Sequence, residues 1–240
     1  MERVSGTALW RQIETALEKD IADRVWAPGE KLPTEADFAQ RFGVNRHTVR
    51  RALSELQERG LIRIEQGRGM FVQESVVDYP LTRRTRFTET ISAQSRVPGH
   101  KLHKAYLMPA DREVADALGI IRGREVLCLE TIGLVDERPL IFGRHHFPCP
   151  RFRGLEDMFV KTGSITTSLK RFGVADYFRR RTAIMAVLPT PEEAVILQQP
   201  RMRPVLRYEA LNTDETGEPV EFTVGLFAGD RAQLLVEDWG

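Results

Sequence analysis

The sequence predicts an α+β chain in two domains: a small helical unit closed by a β-hairpin, then a larger mixed domain around an antiparallel sheet. Three observations carry this. Apolar residues recur at helical spacing from Leu9 to Leu56 and then switch to short runs around "QGRG". A polar, proline-bearing stretch, "QESVVDYPLTRRTR", shows no helical period. Beyond it, strand-like runs meet at turns of hairpin composition, "VDERP" and "TDETGEP". The expected boundaries are 1–74 for the first domain, 75–86 for a linker and 87–240 for the second.

Each element has its own signal. Leu9, Ile13, Leu17, Ile21 and Val25 form one stripe on a helix over 7–25, which "APG" at 27–29 follows. Thr34 is placed to cap a second helix, with Asp37 three residues on in a capping-box arrangement, and Gly43 stops it. Asn45 caps a third helix that runs to Gly60. "LIRIE" and "MFV" flank a glycine-bearing tip and read as a hairpin. In the second domain, 101–108 reads as a strand and 109–120 as a short helix capped by Asp111. Residues 124–148 read as a hairpin, and 155–173 as a helix broken near Gly163. A strand over 176–189, a capped helix over 190–199 and a hairpin over 204–227 complete the order.

Bulk numbers narrow the classes. The 240 residues suffice for one large or two small domains, and 42% hydrophobic with 29% charged residues is globular. A net charge of +1 rules out a globally basic chain, so any nucleic-acid footprint must be local. Cys128 and Cys149 sit beside apolar residues or proline, which fits buried thiols in a reducing compartment. The charged, amphipathic start is no signal peptide, and no apolar run approaches about 18 residues, so a cytoplasmic protein without membrane contact is expected.

The local footprint lies in the third helix. Val49, Ala52, Leu53 and Leu56 share one face at i, i+3, i+4 and i+7, while His47, Arg51 and Ser54 lie opposite and Arg50 flanks them. From 41 to 68 there are seven arginines and three glutamates, in a chain otherwise balanced. An Arg-rich amphipathic helix taken alone reads equally as a solvated face. The short preceding helix, the tight turn and the following hairpin turn the reading to a winged helix-turn-helix, whose recognition helix meets base edges in the major groove. Arginine forks suit guanine, helix-start amides suit phosphate, and an arginine between two glycines lets the chain approach a backbone or minor groove closely. For His47, DNA contact and simple exposure both stay open.

"PGEKLPTEADFAQRFGVNRHTVRRALSELQERGLI" followed by "GRGMFV" resembles the GntR class of bacterial transcription regulators over residues 8–72. That resemblance implies base contacts from Arg46 and Arg50, a phosphate contact from Thr48, and a wing site at Gln66, Gly67 and Arg68. Thr34, Asn45, His47, Arg51 and Gly69 complete the expected DNA-binding set. Asn45 stands where many members have Ser or Thr, and Ala36 where some carry a DNA-contacting Arg.

The second domain resembles the HutC branch, which carries a UTRA effector domain of chorismate-lyase-like α+β fold; "DYPL", "VADALGI" and "VDERPLIFGRHHF" carry the likeness. Within it, the likeness is to regulators of phosphonate uptake and carbon–phosphorus lyase genes. It implies a ligand-responsive repressor acting as a homodimer on an inverted-repeat operator in double-stranded DNA. The implied effector is a small anion: a phosphonate, a phosphate or a phosphosugar. Helix starts with hydroxyls and nearby arginines suit such an anion. The candidate effector residues are Arg86, Phe87, Thr88, Glu89, Arg144, Ser164, Thr166, Arg179 and Glu221. Related regulators of amino-sugar metabolism hold the ligand phosphate partly with two strand arginines, where this chain has Thr131 and Gly133. Arg144 and Arg179 are the candidate replacements, and strand alternation would put Arg179 and Arg181 on one face with Arg180 on the other.

No cofactor is expected. His145 and His146, adjacent on a strand, point to opposite faces, and with His100 and His103 they match no zinc spacing, so no metal site is expected. The chorismate-lyase-like fold raises an enzyme reading. No nucleophile with a base, paired carboxylates or Gly-rich nucleotide loop supports it, and a non-enzyme is expected.

Overall fold

The computed structural model describes residues 8–65, 67–73 and 76–236. Two compact units divide at Ser75/Val76. The first begins with α1 (Leu9–Ala22), α2 (Glu35–Phe42) and α3 (Arg46–Glu58), and ends in a hairpin of β1 (Ile62–Glu65) and β2 (Gly69–Val72). Its core joins Ile13 and Leu17 of α1 to Phe38 of α2, to the buried face of α3, and to Ile62, Met70 and Val72 of the hairpin. Thr34 and Asp37 make the full capping box, and Asn45 Oδ1 accepts from the Thr48 amide at 2.8 Å. Helix α1 stops short of the expected Val25. Arg24 turns into the left-handed region, leaving Val25 exposed, and Trp26 meets Phe38 edge-on at 5.8 Å.

The second unit is built on six antiparallel strands: β4 (Pro98–Pro109), β5 (Glu125–Val135), β6 (Arg138–Pro148), β7 (Tyr177–Val187), β8 (Val205–Asp214) and β9 (Pro219–Ala228). They lie in the order β4-β5-β6-β9-β8-β7. The β5–β6 turn is tight, with Asp136 and Glu137 both at positive φ, as a two-residue hairpin of primed type requires. One sheet face packs α5 (Arg112–Leu118) and α8 (Pro191–Ile196) through Val126, Phe222, Phe142 and Leu226. The other face packs α4 (Phe87–Ser92), α6 (Leu155–Thr162) and α7 (Ile165–Arg171).

Two segments differ from the sequence expectation. Residues 75–86 are not simply a linker: β3 (Val77–Pro80) pairs in parallel with β10 (Ala232–Leu235), and Val77 and Tyr79 are core residues. A four-residue strand whose only partner lies at the far end of the chain carries no local period. Arg179 and Arg181 do not share a face either. A β-bulge between them leaves Arg179 opposite Asn212 and Arg181 opposite Leu211, which are neighbours on β8 and so point to opposite sides.

Candidate nucleic-acid interface and effector cavity

In the first unit, sealing Val49, Ala52, Leu53 and Leu56 into the core leaves Arg46, His47, Arg50 and Arg51 exposed. Arg50 is held in place: its Nε and Nη2 donate to Glu35 at 3.0 and 2.8 Å, a two-point pairing from the start of α2. That hydrogen bond, together with the nearby positive charges, draws the Glu35 carboxyl below its usual range. The Arg51 guanidinium lies over the Trp10 ring at 4.5 Å. Thr48 turns its hydroxyl to Asn45 Oδ1 at 2.9 Å, and Thr34 closes the cap of α2, so both also serve their own helices. In the hairpin, Arg68 is exposed, pairs with Glu65 and stands over Phe71 at 5.9 Å. A Cβ on Gly69 would sit 2.8 Å from Lys31 Cε at a φ of 115°, so the chain needs glycine there. Gly67 also takes positive φ, and Gln66 lies outside the described residues. Glu35 and Trp10, which orient two of the exposed arginines, carry no sequence signal of that role.

In the second unit a cavity of about 640 Å³ lies on the sheet face that packs α4, α6 and α7, a volume in the range of small-molecule sites. Eight of the nine candidate effector residues line it: Arg86, Phe87, Thr88, Glu89, Ser164, Thr166, Arg179 and Glu221. Its floor comes from register. Thr131 and Gly143 are opposed across β5 and β6, His145 and Thr223 across β6 and β9, and Glu221 and Asn212 across β9 and β8. Glu221 is buried and fully engaged, with His145 Nδ1 at 2.6 Å, Thr223 Oγ1 at 2.9 Å and Asn212 Nδ2 at 2.5 Å. Burial alone would raise its carboxyl; the His145 hydrogen bond and charge, with Asn212 and Thr223, outweigh that and hold it down at about 2. His145 Nε2 meets Thr131 Oγ1 at 2.9 Å. His100 faces the same cavity, 3.3 Å from Thr88 Oγ1, and burial with the His145 charge pushes its imidazole down to about 4.

Several candidates stand differently from expectation. Arg144 is not in the cavity. Its register partners Glu130 and Val224 belong to the opposite sheet face, where it donates to Glu130 at 3.3 Å and Glu193 at 3.1 Å. Arg86 lines the cavity but is tied to Asp176 at 2.9 Å and the Tyr177 carbonyl at 2.6 Å, with its guanidinium 3.6 Å from the Tyr177 ring centre. Ser164 caps α7 by accepting from the Thr167 amide, and the Thr166 hydroxyl is 2.9 Å from the Tyr177 hydroxyl. At Gly133 a Cβ would fall 2.4 Å from Ile141 and 3.0 Å from the Phe87 ring. No larger side chain fits there unless Ile141 and Phe87 move. His145 and His146 do diverge: His146 Nδ1 donates to the Phe222 carbonyl at 3.1 Å and its ring stacks on the Phe222 ring. Among the described residues no three His, Cys, Asp or Glu side chains gather as a metal site, and no helix is long and apolar enough to cross a membrane.

Known proteins match both units. The family described as "Bacterial regulatory proteins, gntR family" matches residues 9–72, and the UTRA domain matches 93–233. An HTH-type transcriptional regulator of Rhizobium meliloti is 37% identical over 238 residues, 99% of this chain and 98% of that protein. "Probable transcriptional regulator PhnF" of Escherichia coli is 32% identical, covering 95% of this chain and 94% of that one. The crystal structure of PhnF from Mycobacterium smegmatis superposes with a TM-score of 0.65 at 27% identity, covering 94% and 98%. These relatives are regulators, and the chain is no enzyme. It belongs to the GntR family of bacterial transcription regulators, in the HutC branch that pairs a DNA-binding head with a UTRA domain and includes regulators similar to PhnF.

Proposed function

We propose that this protein is a ligand-responsive repressor of phosphonate uptake and degradation genes, working in the cytoplasm as a homodimer on an inverted-repeat operator. One observation carries the DNA reading: α3 buries its apolar face and leaves Arg46, His47, Arg50 and Arg51 in solvent. In this reading Arg46 and Arg50 contact bases, with His47 and Arg51 beside them. Thr34, Asn45 and Thr48 lie along phosphates, and Gly67, Arg68 and Gly69 bring the hairpin to the adjacent groove. Two heads on half-sites about one helical turn apart gain avidity that neither has alone. The effector enters the UTRA cavity. It acts only by binding two arrangements of the dimer unequally, because equal binding shifts nothing.

The likeness to PhnF supports a phosphonate effector. A phosphosugar is the second reading, supported by a cavity large enough for one and by 27% identity to the repressor NagR of Bacillus subtilis over 96% of this chain. The test is fluorescence anisotropy of the full chain on duplexes from its own gene neighbourhood, with and without methylphosphonate or glucosamine 6-phosphate. A specific complex that one of these ligands dissolves is expected. Equal affinity for operator and scrambled duplex would overturn the reading.

A further inference from the structure

The cavity holds several cations, but they differ in what neutralises them. Arg86 has Asp176. Lys170 is exposed. Arg179 is partly buried and, among the described residues, has no carboxylate in ion-pair range. Its Nε donates to Asn212 Oδ1 at 2.9 Å and its Nη1 to Thr182 Oγ1 at 3.4 Å, leaving Nη2 without an acceptor among the described residues. Asn212 in turn is held by Glu221, so that buried carboxylate fixes Arg179 at one remove. Arg179 faces the cavity in regular register with Asn212 and two residues on from Tyr177; the β-bulge after it turns Arg181 away.

Two phenols line the same cavity. Tyr79 and Tyr208 line it at 6% and 7% exposure, and neither hydroxyl has a hydrogen-bond partner among the described residues. Tyr208 reaches across the sheet only because β9 has a glycine beneath it: a Cβ on Gly225 would lie 2.5 Å from the Tyr208 hydroxyl. The Arg179 charge acts on both phenols. Burial raises both above the usual tyrosine range, Tyr79 to about 12, so each keeps a proton to donate. A partly buried cation without a counter-ion and two phenol hydroxyls without a protein acceptor are groups that a bound ligand can satisfy. An oxyanion is the group that can accept from the guanidinium and from both hydroxyls. The cavity of about 640 Å³ is far larger than a bare phosphate needs, so the oxyanion belongs to a larger organic molecule.

We propose that Arg179, Tyr79 and Tyr208 form the seat for the effector's oxyanion, the head of an organic phosphonate or phosphomonoester. They take the place of the strand arginines that Thr131 and Gly133 do not supply. This rests on the reading of the cavity as the effector site. Isothermal titration of the full chain with methylphosphonate, 2-aminoethylphosphonate and glucosamine 6-phosphate tests it, comparing wild type with Tyr79→Phe, Tyr208→Phe and Arg179→Gln. The phosphonate and sugar-phosphate arms distinguish the two sources of the head group. Because neither hydroxyl bonds to the protein, both Phe variants should keep the melting midpoint of the ligand-free chain. Kd for the probe that binds wild type should weaken roughly ten-fold in each Phe variant and roughly a hundred-fold in Arg179→Gln. Unchanged Kd in both Phe variants overturns this seat and leaves the effector reading standing. A wild-type chain that binds none of the probes overturns both.

Discussion

The two units use arginine in opposite ways. In the head, Arg46, Arg50 and Arg51 lie in solvent on a helix whose other face is sealed, and the pairing of Arg50 with Glu35 leaves the Arg50 side chain 61% exposed. In the UTRA unit, Arg86 and Arg231 are 8% and 5% exposed and donate to backbone carbonyls. Arg144 is shared between two glutamates. A charge count treats these residues alike. Partners and burial separate a guanidinium that can meet a phosphate backbone from one that holds a fold together, and Arg179, half-buried and without an ion pair, belongs to neither group.

Substitutions sharpen the contrast, beginning with the largest effect. Glu221→Gln removes the buried carboxylate that accepts from His145, Asn212 and Thr223 and should destabilise the UTRA unit by about 3–5 kcal/mol at neutral pH. Glu221 is held below its unfolded value, so its contribution is complete above about pH 4.5 and disappears as pH falls toward 2. Urea midpoints of wild type and variant should therefore converge across that window; a constant gap would contradict the pairing. Leu53→Ala should cost the head about 3 kcal/mol by opening its core, seen as an early calorimetric transition with ligand binding in the other unit preserved. A single shifted transition would deny that the two units are energetically distinct. Arg46→Ala should leave stability unchanged and weaken operator binding by about 2 kcal/mol. Glu35→Gln should change stability by less than about 1 kcal/mol, because the pair is exposed. It frees Arg50, and the ratio of operator to scrambled-duplex affinity should fall a few-fold; an unaltered ratio would show that Arg50 needs no positioning.

The head was legible because its determinants are local. The Thr34–Asp37 box, the Asn45 cap and the spacing of Val49, Ala52, Leu53 and Leu56 all operate within one or two helical turns. The cavity was legible in part. Family likeness pointed to Phe87 through Glu89 and to Ser164, the hydroxyls and arginines at helix starts pointed to Arg86 and Thr166, and these do converge. What alternation could not supply was the bulge that separates Arg179 from Arg181, or the register that puts Arg144 behind the sheet. Tyr79 was hidden in a stretch read as linker, because its strand pairs with Ala232–Leu235 at the opposite end of the unit. Gly133, Gly143 and Gly225 were the one available hint, since a glycine inside a strand marks a place where something lies close against the backbone.

Selection from a random duplex pool by the full chain, in parallel with Arg46→Ala, tests most directly whether α3 reads DNA. Wild type should enrich an inverted repeat with half-site centres about one helical turn apart, and the variant should enrich it weakly or with a relaxed base at one position. No enriched motif, or the same motif recovered equally by both proteins, would contradict it.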